Sequence, residues 1–165
     1  MRRCWSAFLV AALALAPAAA RSEMPKADRV VVFKAARVLE LRNGETTLKR
    51  YPIALGRHPK GTKLKRGDGR TPEGVYLVDG RNPRSLYHRS LHLSYPNERD
   101  LARAPAAAVN PGGDIVIHGM PEWYGRYDPV RFFRDWTNGC IAVGNSAIEE
   151  IWDAVDDGTP VEIRP

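Results

Sequence analysis

Two side chains with complementary chemistry lie 22 residues apart: His118, followed by Gly119, and Cys140, preceded by Gly139. A free thiol has a pKa near about 8.5, so an attacking cysteine needs a neighbouring base or cation. An imidazole can take that proton through either ring nitrogen while a third group fixes the other. Asp114, Asp135 and the Gly119 carbonyl are the candidates for that third group. The adjacent amides of Gly139 and Cys140 could donate to a tetrahedral oxyanion, and the glycine permits close approach of a substrate. The competing reading of a lone cysteine is a small buried hydrophobe.

Both residues flank short apolar runs. Alternation over residues 114–118 sends Ile115 and Ile117 one way and Val116 and His118 the other; around Cys140 it separates Ile141 and Val143 from Cys140 and Ala142. If the two strands are neighbours, thiol and imidazole share a face. Further strands are expected at 29–34, 38–42, 46–53, 75–78, 85–95 and 161–163. Asn43-Gly44 marks a hairpin turn, and Pro52 puts the third strand at an edge. Residues 56–74, with five glycines and two prolines, read as a loop and lack phosphate-loop spacing. A short helix broken at Pro105 is expected over 97–108, followed by a turn at Asn110-Pro111-Gly112-Gly113. Ser146-Ala147-Ile148-Glu149 has capping-box form, with Ser146 as N-cap. Ile148, Ile151, Trp152 and Val155 then make one apolar stripe, and Asp157-Gly158 stops that helix. The fold class is mainly β: one mainly antiparallel, sandwich-like domain, residues 29–164, with a C-terminal helix packed on it.

Residues 1–20 read as a signal peptide: Arg2 and Arg3, an apolar run from Trp5 to Ala16, then Ala18-Ala19-Ala20 ahead of a cut before Arg21. Residues 21–28 form a polar lead-in. The expected address is the periplasm or cell envelope, with no integral membrane span after processing. Removal of two arginines lowers the net charge from +6 to +4 and leaves Cys140 as the only thiol. An unpaired thiol in an exported protein raises the case for a reactive role. The mild positive charge suits an anionic wall polymer, and no basic stripe interleaved with aromatics points to nucleic acid. His88 and His92 are four apart, but alternation from Ser85 to Tyr95 argues a strand, where that gap spans about 13 Å. That is too far for one zinc, so no metal site is expected, and His92 is read as lining a cleft floor. Residues 120–135, long and punctuated by glycine and proline, are expected to cover the cleft.

The chain resembles the L,D-transpeptidase (YkuD-type) catalytic domain family. His118-Gly119 followed by Thr137-Asn138-Gly139-Cys140-Ile141 matches its active-site signature. Residues 67–76, containing Thr71-Pro72-Glu73-Gly74, resemble its Thr-Pro-x-Gly strand start; residues 90–97, 111–115 and 135–143 resemble the YafK-type branch. The resemblance covers about Arg29 to Arg164. It implies a β-sandwich catalytic domain, with Cys140 as nucleophile and His118 as base. It further implies peptidoglycan stem peptides as substrates, an envelope lipoprotein as a second partner, a role in wall organisation and cell shape, and no cofactor. The thioester passes to an amine, cross-linking stems or attaching the lipoprotein, or to water, which makes the enzyme a hydrolase. A catalytically inactive wall-binding module is the third alternative. Thr137, Asn138 and Ala142 would line the acyl site. Most of the wider family has histidine in place of Asn138 and arginine in place of Ala142, so a carboxylate clamp is absent there.

Overall fold

The computed structural model describes residues 24–103, 109–121 and 134–165. The expected signal peptide and most of the expected cover over the cleft lie outside them. The described strands are β1 (Arg29–Phe33), β2 (Val38–Asn43), β3 (Thr46–Pro52), β4 (Gly74–Ser85), β5 (His88–Leu93), β6 (Val116–His118), β7 (Ile141–Ala142) and β8 (Pro160–Arg164). They hydrogen-bond in the order β3-β2-β1-β8-β4-β5-β6-β7. Among the described residues two helices accompany them, α1 (Glu98–Arg103) and α2 (Asn145–Ala154).

The hinge of this arrangement is β4. Its first residues pair with β8 and its later ones with β5, with register shifts at Val78/Gly80 and Asn82/Ser85. Such bulges bend a strand and increase its twist, so one open sheet runs as two halves over a shared core. Val30, Val32, Leu39 and Leu41 from one half join Leu91, Leu93, Ile117 and Ile141 from the other in a single buried cluster. Ile148 and Ile151 of α2, with Val155 at its C-cap, complete it, as the apolar stripe requires. A bridge between Ala54 and Ala142 then ties the chain after β3 to β7, with both amides donating across it at 2.9 Å.

The pairing details the expected, mainly antiparallel sheet, and three further features differ from the sequence expectation. Pairing is antiparallel except at β1/β8 and β6/β7, which are parallel; both partners in each case arrive after long connections, so no hairpin dictates their direction. The first hairpin closes at Asn43↔Thr46, which makes Gly44-Glu45 the turn, with Gly44 at φ 54. Strand β4 continues well beyond Val78. Finally, α2 starts at Asn145 with extended Gly144 as N-cap and no side-chain cap. Glu149, which the capping box would turn back along the helix, instead reaches His88 and Arg89. Pro52 does end an edge strand, because β3 is the last in its half.

Candidate active site

His118 is the last residue of β6, and its main chain is locked on both sides. Its carbonyl accepts from Val143 N at 2.8 Å, and the next amide, Gly119 N, donates to Arg89 O at 3.2 Å. The imidazole is buried, 4.5 Å centroid to centroid from the Tyr87 ring and edge-on to Trp136 at 5.7 Å. Nδ1 lies 2.6 Å from Gly119 O. A carbonyl only accepts, so Nδ1 carries the proton and Nε2 keeps its lone pair. The main chain thus does the orienting. Asp135 is committed to Arg37 and to Leu55 N, and Asp114 offers its carbonyl to Cys140 Sγ at 3.5 Å. Burial holds the His118 pKa below its ordinary value, against the pull of the Gly119 contact.

Cys140 stands directly before β7. In the parallel register Ile117 faces Ile141 and His118 faces Ala142, which puts Val116, His118, Cys140 and Ala142 on one face. The thiol is half-buried, and burial pushes its pKa up; a hydrogen bond from the Val116 amide and the charge of Lys63 pull it down, while Asp114 adds to the rise. Both shifts favour the uncharged forms, thiol and imidazole.

The turn into Cys140 is braced by Thr137. Its buried hydroxyl donates to Cys140 O at 2.7 Å and accepts from Gly139 N at 3.0 Å. That contact narrows the oxyanion expectation: the Gly139 amide is already used, leaving Cys140 N–H as the turn's proposed donor. Gly139 itself sits at φ 135, and a Cβ there would stand 2.6 Å from Arg70 O. Glycine is required at this point. Gly119 is equally constrained, since a Cβ would lie 2.6 Å from Asn145 Oδ1 and 3.0 Å from Ile148 Cγ2.

The other sequence candidates separate. His92 lies across from Val116 in the β5/β6 register, so it shares the face of His118, and its Nδ1 is 2.5 Å from Asp79 Oδ1. Two strand spacings, about 10 Å, separate it from the Cys140 position. Asn138 is exposed, and its Oδ1 accepts from Arg57 Nη2. Ala142 does not line an open site: it is fully buried and paired to Ala54. His88 pairs with Glu149 and not with His92. Among the described residues no cluster of His, Cys, Asp or Glu could hold a metal ion.

Sequence reading missed what shapes the loop behind Cys140. Asp68 accepts from Lys63 Nζ and Arg70 N with one oxygen and from Leu64 N and Lys65 N with the other. Lys34, almost fully buried, ties Gly61 O, Thr71 O and Glu73 Oε1 at 2.7–2.9 Å. The run from Gly67 to Gly74 held the available signal, as a turn-rich, charged loop.

The YkuD family model, described as an L,D-transpeptidase catalytic domain, matches residues 27–163. The chain belongs to that family. It is 30% identical over 132 residues to YafK of Escherichia coli (strain K12), covering 76% of this chain and 46% of that protein. The structure of the helical cell shape determining protein Pgp2 from Campylobacter jejuni is similar at TM-score 0.63 and 28% identity, over 82% of this chain and 46% of that one. Bd1075 of Bdellovibrio bacteriovorus is similar at TM-score 0.59 and 28% identity, over 82% and 47%. An L,D-transpeptidase from Mycobacterium smegmatis shares the fold alone, at TM-score 0.54 and 13% identity. This chain thus spans about half the length of YafK, Pgp2 and Bd1075.

Proposed function

We propose that the protein is a cysteine-dependent acyl-transfer enzyme of the cell envelope that opens peptide bonds in peptidoglycan stems. The observation that carries this reading is the parallel β6/β7 register, which presents Cys140 and His118 on one face with the histidine tautomer set by Gly119 O. His118 Nε2 takes the thiol proton as Sγ bonds to the scissile carbonyl carbon, and Cys140 N–H receives the oxyanion. The intermediate collapses by breaking the C–N bond, and the imidazolium returns the proton to the departing amine. An acceptor amine then attacks the thioester, giving its proton to Nε2, and the C–S bond breaks to regenerate the thiol. Acceptors of this class are another stem or an envelope lipoprotein; water in the same position gives hydrolysis. Export by way of residues 1–20 places the enzyme with its polymer. Pgp2, named for cell shape, motivates a role in wall architecture.

The test incubates the protein with purified tetrapeptide muropeptides. Cross-linked dimers identify transfer, and tripeptide alone, or lipoprotein freed from sacculi, identifies hydrolysis. Cys140→Ala should abolish either product. Unchanged turnover in that variant defeats the proposal. A stoichiometric adduct of a carbapenem on Cys140, seen by mass spectrometry, excludes the inactive wall-binding alternative.

A further inference from the structure

Several cations on the described surface are matched by carboxylates: Lys26 by Asp156, Arg42 and Arg50 by Glu40, Lys49 by Glu150, Arg81 by Asp157 and Arg164 by Glu162. The loop behind the nucleophile breaks this pattern. Its two acids are both spent, Asp68 on buried Lys63 at 2.9 Å and on three main-chain amides, and Glu73 on buried Lys34 at 2.7 Å. Among the described residues, no carboxylate pairs with Arg57, Lys60, Lys65, Arg66 or Arg70.

Arg57, and the main chain of Arg70, are held against the Cys140 turn. Arg57 N donates to Thr137 O at 3.1 Å, and its guanidinium donates to Asn138 Oδ1, two residues before the nucleophile. A Cβ on Gly56 would stand 3.1 Å from Gly139 Cα and 2.2 Å from Gly69 O, so loop and turn are in contact with no room between. Beside that contact a cavity of about 440 Å³ is lined by His58, Leu64, Lys65, Asp68 and Arg70. The Asp68 hydrogen bonds fix the loop around it, so little conformational entropy is lost on binding.

We infer that Arg57, Lys65 and Arg70 form an anion subsite that receives a free carboxylate of the stem peptide whose neighbouring carbonyl Cys140 attacks. Position 142 carries no cation, and Ala142 is buried; the loop supplies the positive charge from the other side of the turn. A fork-shaped guanidinium suits a carboxylate, and Arg57 is presented by a neutral amide that leaves its charge uncompensated. This inference rests on the functional reading for the identity of the ligand, but the charge at the thiol can be tested without it.

The first experiment alkylates the full chain with iodoacetate and, separately, with neutral iodoacetamide, reading Cys140 by peptide mass spectrometry. The rate ratio of anion to neutral reagent should fall about threefold or more in Arg57→Gln/Lys65→Gln/Arg70→Gln, and Arg57→Lys should keep most of it. For the unaltered protein the ratio should fall in the same way between low and high salt. A ratio insensitive to both salt and substitution overturns the subsite. The second experiment compares stems with free and amidated carboxylates: KM should rise about tenfold on amidation, and Arg57→Gln should remove the difference. Equal processing of the two stems by the unaltered protein overturns the assignment to a stem carboxylate. If neither stem is turned over, the functional reading fails, and the alkylation ratio still decides the anion site.

Discussion

At the residue scale, the chemistry turns on which protonation states coexist. Burial raises the Cys140 thiol and lowers His118, so neither charged form is populated in advance. The sign follows: the thiolate fraction grows as pH rises through and above neutrality, while His118 stays an unprotonated base down to pH values below its ordinary range. Iodoacetamide labelling of Cys140 should therefore accelerate steadily with pH from 6 to 9, with no acidic plateau of the kind a preformed thiolate–imidazolium pair gives. His118→Gln should slow muropeptide turnover by about a hundredfold or more, consistent with loss of a general base. Both residues were legible in the sequence because thiol, imidazole and their glycines sit on short alternating strands. Their supports were less legible. The group at Nδ1 is the Gly119 carbonyl, one of three candidates the sequence offered and one that residue type alone did not rank above Asp114 and Asp135. Ala142, placed in the acyl site by the family resemblance, is buried because its strand is paired on both sides.

Elements make the next layer. Gly119 is where β6 passes under α2, so Gly119→Ala forces a methyl against Asn145 and Ile148. Asn145 also holds Met120 N at 2.6 Å, so the clash should displace the strand end that carries His118. We expect a loss of about 1–3 kcal/mol in urea unfolding, with a larger fractional loss of turnover than of stability. Lys34→Met removes the charge that holds Gly61, Thr71 and Glu73 together. A cost of about 3 kcal/mol is expected from stranding these partners, and hydrogen exchange should quicken around Gly56, whose amide is bonded to Thr71. Neither role could be read from local pattern. Lys34 and Glu73 are 39 residues apart, and Arg37 and Asp135 are 98 apart; nothing near either end of the chain encodes the pairing. The helix start shows the same limit in reverse. Ser146 and Glu149 satisfy a local capping rule, but partners on β5 compete for Glu149 and win.

Across the whole molecule, one core serves both halves of the sheet, which couples the site to global stability. Ile117 is fully buried, flanked by Leu91 on β5 and Ile141 on β7. Ile117→Ala should cost about 2–5 kcal/mol, measured as a shift in denaturant midpoint with an unchanged slope. A change in slope instead would mean that the two halves unfold separately. The mainly β class and the core stripe of α2 followed from alternation and helical period; the parallel pairings did not, since period-two patterns are blind to direction. The Ala54–Ala142 bridge carries a further consequence. Both main-chain hydrogen-bonding groups of Ala142 are taken, so the strand beside the nucleophile offers no open rim onto which a peptide could be zipped as an extra strand. Under the proposed function, stems would have to be read by side chains and isolated amides, which predicts sensitivity to their chemical decoration and tolerance of their backbone path.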